Sequence, residues 1–172
     1  MNPLKLYDYL VRSREKMFDA VRPLTFEQYG QRFDFALETI GATITHMMIS
    51  EWYYLARFRG LPVPPYSQWP VQYENPATFE VVEKNWQAQQ REVRGVIGSE
   101  RDWTRRIEYD SFADDAGKRW HIGATAGDVL TQLALHEVHH RSQLMVMLRL
   151  LGARPLQDID YNELMYERRE IT

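Results

Sequence analysis

The sequence predicts an all-α fold, an antiparallel four-helix bundle with a hairpin-like excursion before the fourth helix. Three observations carry that prediction. Four segments of several turns each place apolar residues three and four positions apart. Proline and glycine fall between those segments, where helices must stop. Only one stretch, 103–122, comes near to alternating apolar with polar residues. There is no internal repeat, and 172 residues suit a single domain over 1–172, with a core large enough to need no staples.

The first segment, Leu4 to Val21, aligns Leu4, Tyr7, Leu10, Val11, Met17, Phe18 and Val21 on one face. Asn2 and Pro3 suit its cap and first turn, and Arg22-Pro23-Leu24 ends it. Thr25, three residues before Gln28, has the pattern of a capping box and predicts a short turn of helix. The second long segment is expected from about Phe33 to Arg59, with Gly60 and the prolines at 62, 64 and 65 forbidding continuation. One stripe holds Phe33, Leu37, Ile40, Ile44, Met47, Leu55 and Phe58. The other side is hardly polar, with Phe35, Ala42, His46, Ile49 and Tyr53, so a helix covered on both sides is expected. The loop from Leu61 to Tyr73 is too rich in proline for regular structure, and a long loop of this kind often packs over something.

Asn75-Pro76 opens the third helix, with Phe79, Val82, Trp86, Val93, Val96 and Ile97 inward and Gly98 at its end. From Trp103 to Ile122 the residues Ile107, Tyr109 and Phe112 nearly alternate with polar ones. A turn cluster at Asp114-Asp115-Ala116-Gly117 follows, and Arg119 to Ile122 can return as a strand. Thr125 and Asp128 form a capping-box pair before the most regular helix, Thr125 to Leu151, which Gly152 and Pro155 terminate. Its expected inward line is Val129, Leu133, His136, His140, Leu144, Met147 and Leu151. From Leu156 the tail is charged and aromatic, with a short helix expected around Tyr161 to Arg169.

Composition removes several classes of function. Hydrophobic residues make up 44% and charged residues 26%, a globular mixture. A net charge of −3 and the lack of any Lys/Arg cluster leave no footprint for nucleic acid or an acidic membrane surface. No apolar run approaches the roughly 20 residues of a membrane span, and the N-terminus lacks the apolar core of a signal peptide. There is no cysteine, so disulfides, Cys-zinc sites and a cysteine nucleophile are all excluded. A cytoplasmic protein without nucleic-acid or membrane partners is expected.

Chemistry enters through the histidines. His136 and His140 project from one helix face, one turn apart, which is how a helix offers two imidazoles to one ion. Both fall on the apolar line, where a buried imidazole needs partners for two nitrogens. A metal ion satisfies them, and so can neighbouring hydrogen-bonding groups; spacing and burial alone leave both readings open. His46, with the small residues Ala42, Thr43 and Ser50 about a turn away on either side, is the candidate third imidazole, with a cavity expected beside it. Three neutral imidazoles with an open fourth position is the arrangement of catalytic zinc sites. There a bound water can reach a pKa of about 7. His139 lies about 100° around the helix and reads as a flank residue, and His121 reads as an exposed residue of the excursion. The letters His136-Glu137-Val138-His139-His140 satisfy the zincin spacing, but Glu137 points about 100° from His136, which disfavours a metalloprotease. Glu51, on an apolar stripe, needs a partner, with a salt bridge as the default.

The stretch ALHEVHHRSQLMVMLRLLG and the helical stretch TIGATITHMMISEWYYL resemble the DinB-like (damage-inducible) family of metalloenzymes, over nearly the whole chain. In that family the second helix-4 ligand is usually followed by Arg-Gly-Gln; here Ser142 stands in place of the glycine, small for small. The resemblance implies a four-helix bundle with ligands His46, His136 and His140, one divalent metal ion (zinc or nickel) and a homodimer. It also implies, for some members, a transferase or isomerase reaction that depends on a low-molecular-weight thiol. Two functions are therefore carried forward. One is a metal-dependent enzyme, a thiol-dependent transferase or a hydrolase acting on a small molecule. The other is a non-catalytic, homodimeric, stress-related metal-binding protein.

Overall fold

Asn2 accepts a hydrogen bond from the Lys5 backbone N–H and Pro3 occupies the first turn, so helix α1 begins at once and runs Pro3–Val21. The structure, a computed structural model, describes residues 2–113, 116–154 and 157–170. Thr25 and Gln28 close the expected capping box over a one-turn helix, α2 (Phe26–Tyr29). Helix α3 (Ile40–Phe58) starts seven residues later than the sequence suggested. Ala36 and Glu38 have φ of 54° and 64°, which no helix accommodates, and Thr39 caps the helix by accepting from the Ala42 N–H. Phe33 and Phe35 still pack on the core from this irregular segment, which explains why apolar residues stand there without a helix.

The proline-rich loop contains one turn of 3₁₀ helix, Tyr66–Gln68, held by Trp69 donating to the Pro64 carbonyl. Helix α4 (Phe79–Ser99) begins after Thr78 rather than at Asn75-Pro76, and Gly98 lies inside it instead of ending it. The excursion is an antiparallel hairpin of β1 (Arg106–Asp110) and β2 (His121–Thr125), with Ile107 opposite Ala124 and Tyr109 opposite Ile122. Of its expected turn cluster, residues 114 and 115 lie outside the described residues. The strand runs directly into helix α5 (Ala126–Leu150), whose capping box of Thr125 and Asp128 forms as expected. Gly152 follows with φ of 69°. Helix α6 is a short one, Tyr161–Met165, stopping four residues before the expected end.

The molecule is thus mostly helical with one small two-stranded sheet. Helix α1 packs on α4 and α5, α3 packs on the same two helices, and α6 lies against α1. Apolar clusters fill the space between them. The largest gathers Phe18, Ile44, Met47, Trp86, Leu144 and Leu148, with the Phe18 ring edge-on to Trp86. No described helix is long and apolar enough to cross a membrane.

The centre of this packing is charged. Arg14 of α1 is 1% exposed and donates to Glu51 of α3 at 2.8 Å and to Glu137 of α5 at 2.7 Å. Glu51 also accepts from Tyr7 (3.1 Å), Trp86 (2.9 Å) and Gln89 (2.9 Å), so α4 joins the same cluster. Beside it Arg141 donates to Ser13 and to the Tyr9 hydroxyl. Burial works against the Arg14 cation, but Glu137 and Glu51 outweigh it and raise its pKa. Burial also lifts the Glu137 carboxyl, with Arg14 opposing.

Removing Arg14 leaves two carboxylates buried without a cation. Arg14→Met should lose about 3–5 kcal/mol in urea unfolding. Restoring charge balance with Arg14→Met/Glu51→Gln/Glu137→Gln should recover part of the loss; a single variant as stable as the parent would contradict the account.

Candidate metal centre

The side of α3 that carries His46 meets α5 beside His136 and His140. The structure brings the three together, with one ring nitrogen from each lying within 4.8 Å of the others. The Nε2 atoms of His46 and His136 are 3.0 Å apart. Ring centroids are 4.9 Å apart for His46 and His136, 4.6 Å for His46 and His140, and 4.5 Å for the α5 pair. All three are partly buried. The core line of α5 runs as expected through Val129, Leu133, Leu144 and Met147, but in its middle Glu137 and Arg141 are buried, whereas His136 and His140 sit on the flank turned toward α3. The small residues Ala42, Thr43 and Ser50 are buried, and Thr43 spends its hydroxyl on the Thr39 carbonyl.

Electrostatics keeps the imidazoles neutral. Burial, then the neighbouring His140, lowers the His46 pKa to about 4, with Glu74 opposing. Burial and the other histidines lower His136 to about 3. Burial also lowers His140. Neutral imidazoles have lone pairs to give, which is the state a metal ion requires. His140 Nδ1 lies 2.9 Å from the Gln143 Oε1, an arrangement in which Nδ1–H donates to the amide oxygen and Nε2 is left as the free donor atom. The other end of the same amide meets His139 Nε2 at 3.0 Å. Among the described residues the His140 Nε2 has no hydrogen-bond partner.

The donor set therefore fits a divalent cation. Two imidazoles on one tetrahedral ion stand roughly 3.4 Å apart, so the three nitrogens need only small adjustments to share one. The His46–His136 approach is also the length of an N–H···N hydrogen bond, but that bond satisfies two rings and leaves the third unanswered. Three nitrogens and no carboxylate in the cluster leave coordination positions open, where a small molecule or water can be polarised.

Aromatic rings wall the cluster. Tyr73, from the loop before α4, stands edge-on to His46 at 5.3 Å, and Tyr54 of α3 stands edge-on to His136 at 5.7 Å. Gln132, one turn before His136, donates to the Tyr54 hydroxyl at 3.1 Å. Sequence reasoning did not single out Gln143 or Gln132 for these roles. Their signal was helical offset from the histidines: three positions after His140 and four before His136. Glu137, despite its place in the zincin letters, is bound to Arg14 on another side of α5 and cannot act as a base at the cluster. His121 is exposed on β2 with Asp110 at 3.0 Å, and His139 is exposed as well.

A model of the DinB family matches residues 1–170. No curated protein matches the chain. Among solved structures, the crystal structure of a DinB-like protein from Bacillus cereus ATCC 10987 is similar with a TM-score of 0.62, covering 88% of this chain and 92% of that one. At 21% identity that likeness is one of fold.

Because His46 and His136 hold protons more weakly when folded than in the unfolded chain, where a histidine titrates near 6.5, the metal-free protein is most stable above that pH. Stability should fall as pH drops below about 6.5, and the slope contributed by these rings should persist to about 4 for His46 and about 3 for His136. Thermal melts of chelator-treated protein between pH 7 and 5 check this. His136→Asn should flatten the dependence, and an unchanged slope would count against burial as the cause.

Proposed function

The chain belongs to the DinB family, and from that premise we propose that it is a metal-dependent enzyme acting on a small molecule. His46, His136 and His140 hold one divalent ion, zinc or nickel, in a single-domain, antiparallel four-helix bundle. The observation that carries the reading is the convergence of three neutral imidazole nitrogens within 4.8 Å, with no fourth protein ligand among the described residues. Structural zinc is normally closed by four protein ligands, so a three-ligand set favours catalysis over a purely structural ion. When bound, such an ion supplies Lewis acidity, lowering the pKa of a coordinated water or thiol toward neutrality.

The chain's own groups support that chemistry in stated ways. Gln143 fixes the tautomer of His140 and so aims its Nε2 at the cluster. Tyr54 and Tyr73 cover the rings and limit water. Among the described residues no carboxylate or further histidine shares the cluster, His139 and Glu74 standing beside it, which suits a reaction whose nucleophile arrives as an acidic thiol better than one that needs a protein base among the ligands. Thiol-dependent transfer is therefore placed ahead of hydrolysis. The other reading, a non-catalytic metal-binding homodimer, is separated from it by turnover.

Purified protein should contain about one equivalent of metal per chain by elemental analysis. His46→Ala and His136→Ala should each lose most of it while remaining helical by circular dichroism. Conjugation of a low-molecular-weight thiol to a panel of electrophiles should proceed with the metal-loaded protein and stop after chelation. Unchanged metal content in both variants would remove the site; full metal without turnover would favour the non-catalytic reading.

The proposal includes a homodimer formed by the outer face of α5. Leu135, Val138, Val146 and Leu150 make one helical stripe and are 63%, 41%, 43% and 64% exposed. A run of apolar side chains of this kind on one face commonly marks a protein interface. Leu135→Glu/Val146→Glu should shift the sedimentation coefficient from dimer to monomer with helicity unchanged; a parent that sediments as a monomer would refute it.

A further inference from the structure

Three arginines are buried in this molecule, and they are not treated alike. Arg14 has two carboxylates, and Arg141 has two hydroxyls. Arg57, near the end of α3, is 7% exposed and has neither. Its Nε is fully enclosed without an acceptor, as are the Nε and Nη1 of Arg14, but unlike Arg14 it has no carboxylate within ion-pair distance among the described residues. What surrounds it is aromatic. Its guanidinium carbon is 4.3 Å from the centre of the Tyr109 ring, 5.1 Å from Tyr53 and 5.8 Å from Phe112. Ring faces stabilise a cation, but they accept none of the N–H bonds in the guanidinium plane. An enclosed N–H left without an acceptor is costly unless something answers it.

That side chain lines a cleft of about 240 Å³ between α3, α5 and the hairpin. The other lining residues are Tyr54, Tyr109, Ala124, Asp128, Val129 and Gln132. Asp128, the acid among them, has one carboxylate oxygen, Oδ2, committed to the Thr125 N–H and hydroxyl at 2.8 and 2.7 Å. The cleft adjoins the histidine cluster, because Tyr54 and Gln132 belong to both: Tyr54 touches His136, and Gln132 holds Tyr54. Arg57 lies eleven residues beyond His46, about 16 Å along the helix axis, and its side chain leans back over Tyr53, which shortens the gap.

We propose that Arg57 is the carboxylate-binding residue of a substrate subsite, reading one end of a small, carboxylate-bearing molecule whose other end faces the histidine cluster. The planar guanidinium edge matches a carboxylate two bonds at a time, and the aromatic walls suit a flat or apolar body behind it. Carboxylate capture by Arg57 stands on the cleft alone; the direction of the rest of the molecule rests on the metal-centre reading.

The test uses benzoate, which is small enough for the cleft and need not reach the histidines. Binding to the purified protein is followed by ¹H–¹⁵N chemical-shift titration, with benzamide as the neutral isostere and phenylphosphonate as the alternative anion. Benzoate should bind with shifts centred on Tyr53, Tyr54, Arg57 and Tyr109, and benzamide should bind roughly tenfold to a hundredfold more weakly. Arg57→Gln should lose benzoate affinity by a similar factor, and His136→Ala should keep it, which separates this subsite from carboxylate bound at the metal. Arg57→Lys retains the charge without the planar edge, should give intermediate affinity, and serves if Arg57→Gln does not fold. Equal binding of benzoate and benzamide, undiminished binding by Arg57→Gln, loss only in His136→Ala, preference for phenylphosphonate, or no binding at millimolar benzoate would each overturn the proposal.

Discussion

One guanidinium fixes the arrangement of the long helices. Arg14 spans Glu51 on α3 and Glu137 on α5, while Glu51 also gathers Tyr7 from α1 and Trp86 and Gln89 from α4. An apolar interface tolerates sliding by a turn at modest cost, because one methyl group replaces another. A buried ion cluster does not, since any slip strands a charge in a medium that cannot solvate it. The register between α3 and α5 is therefore set at Glu51 and Glu137. His46 lies five residues before Glu51, and His136 lies one before Glu137. Holding the acids in place on the inner faces brings the histidines opposite one another on adjoining faces. The network does not touch the site, yet it determines which residues form it.

The same division of faces explains the electrostatics. Charge is concentrated inside the helix layer, where each cation has an acceptor, and the histidine flank is left with aromatic neighbours and no formal charge within the cluster. Burial then keeps His46 and His136 neutral far below neutral pH. An arginine or a lysine turned toward the flank would repel a divalent ion, and an acid would close the open coordination. Gln143 orients a ring through a neutral amide, and so contributes direction without either effect.

How much of this was legible in the sequence follows from the range of each interaction. Thr125 with Asp128, Asn2 with Pro3, and Thr25 with Gln28 are contacts within one turn, and their patterns gave the helix starts correctly. The His136–His140 pair is likewise local. The start of α3 was misplaced because Phe33, Leu37 and Ile40 keep helical spacing, while the positive φ at Ala36 and Glu38 has no marker as plain as a glycine. The inward line of α5 was right at Val129, Leu133, Leu144 and Met147 and off by one position, about 100° of helix, in the middle, because Glu137 and Arg141 read as surface residues until Arg14, Ser13 and Tyr9 are known to face them. That Glu51 would need an ionic partner could be foreseen. Which residue it would be could not, since Arg14 is 37 positions away and looks like any charged residue of an amphipathic helix.

The comparison among the buried arginines bears on where function lies. Arg14 and Arg141 each have polar side chains from within the fold as partners. Arg57 has none among the described residues, at a place where the chain also leaves a cleft, adjoining the histidine cluster through two shared residues. Its aromatic surroundings enclose it without using its donors. Helix α3 thus carries both ends of one recognition surface: His46 toward a reacting group and Arg57 toward a carboxylate. The hairpin supplies the ring that covers Arg57, and the loop before α4 supplies the ring that covers His46. On this view the excursion before α5 and the proline-rich loop are the parts through which related chains would change substrate while the helices and their ion cluster stay the same.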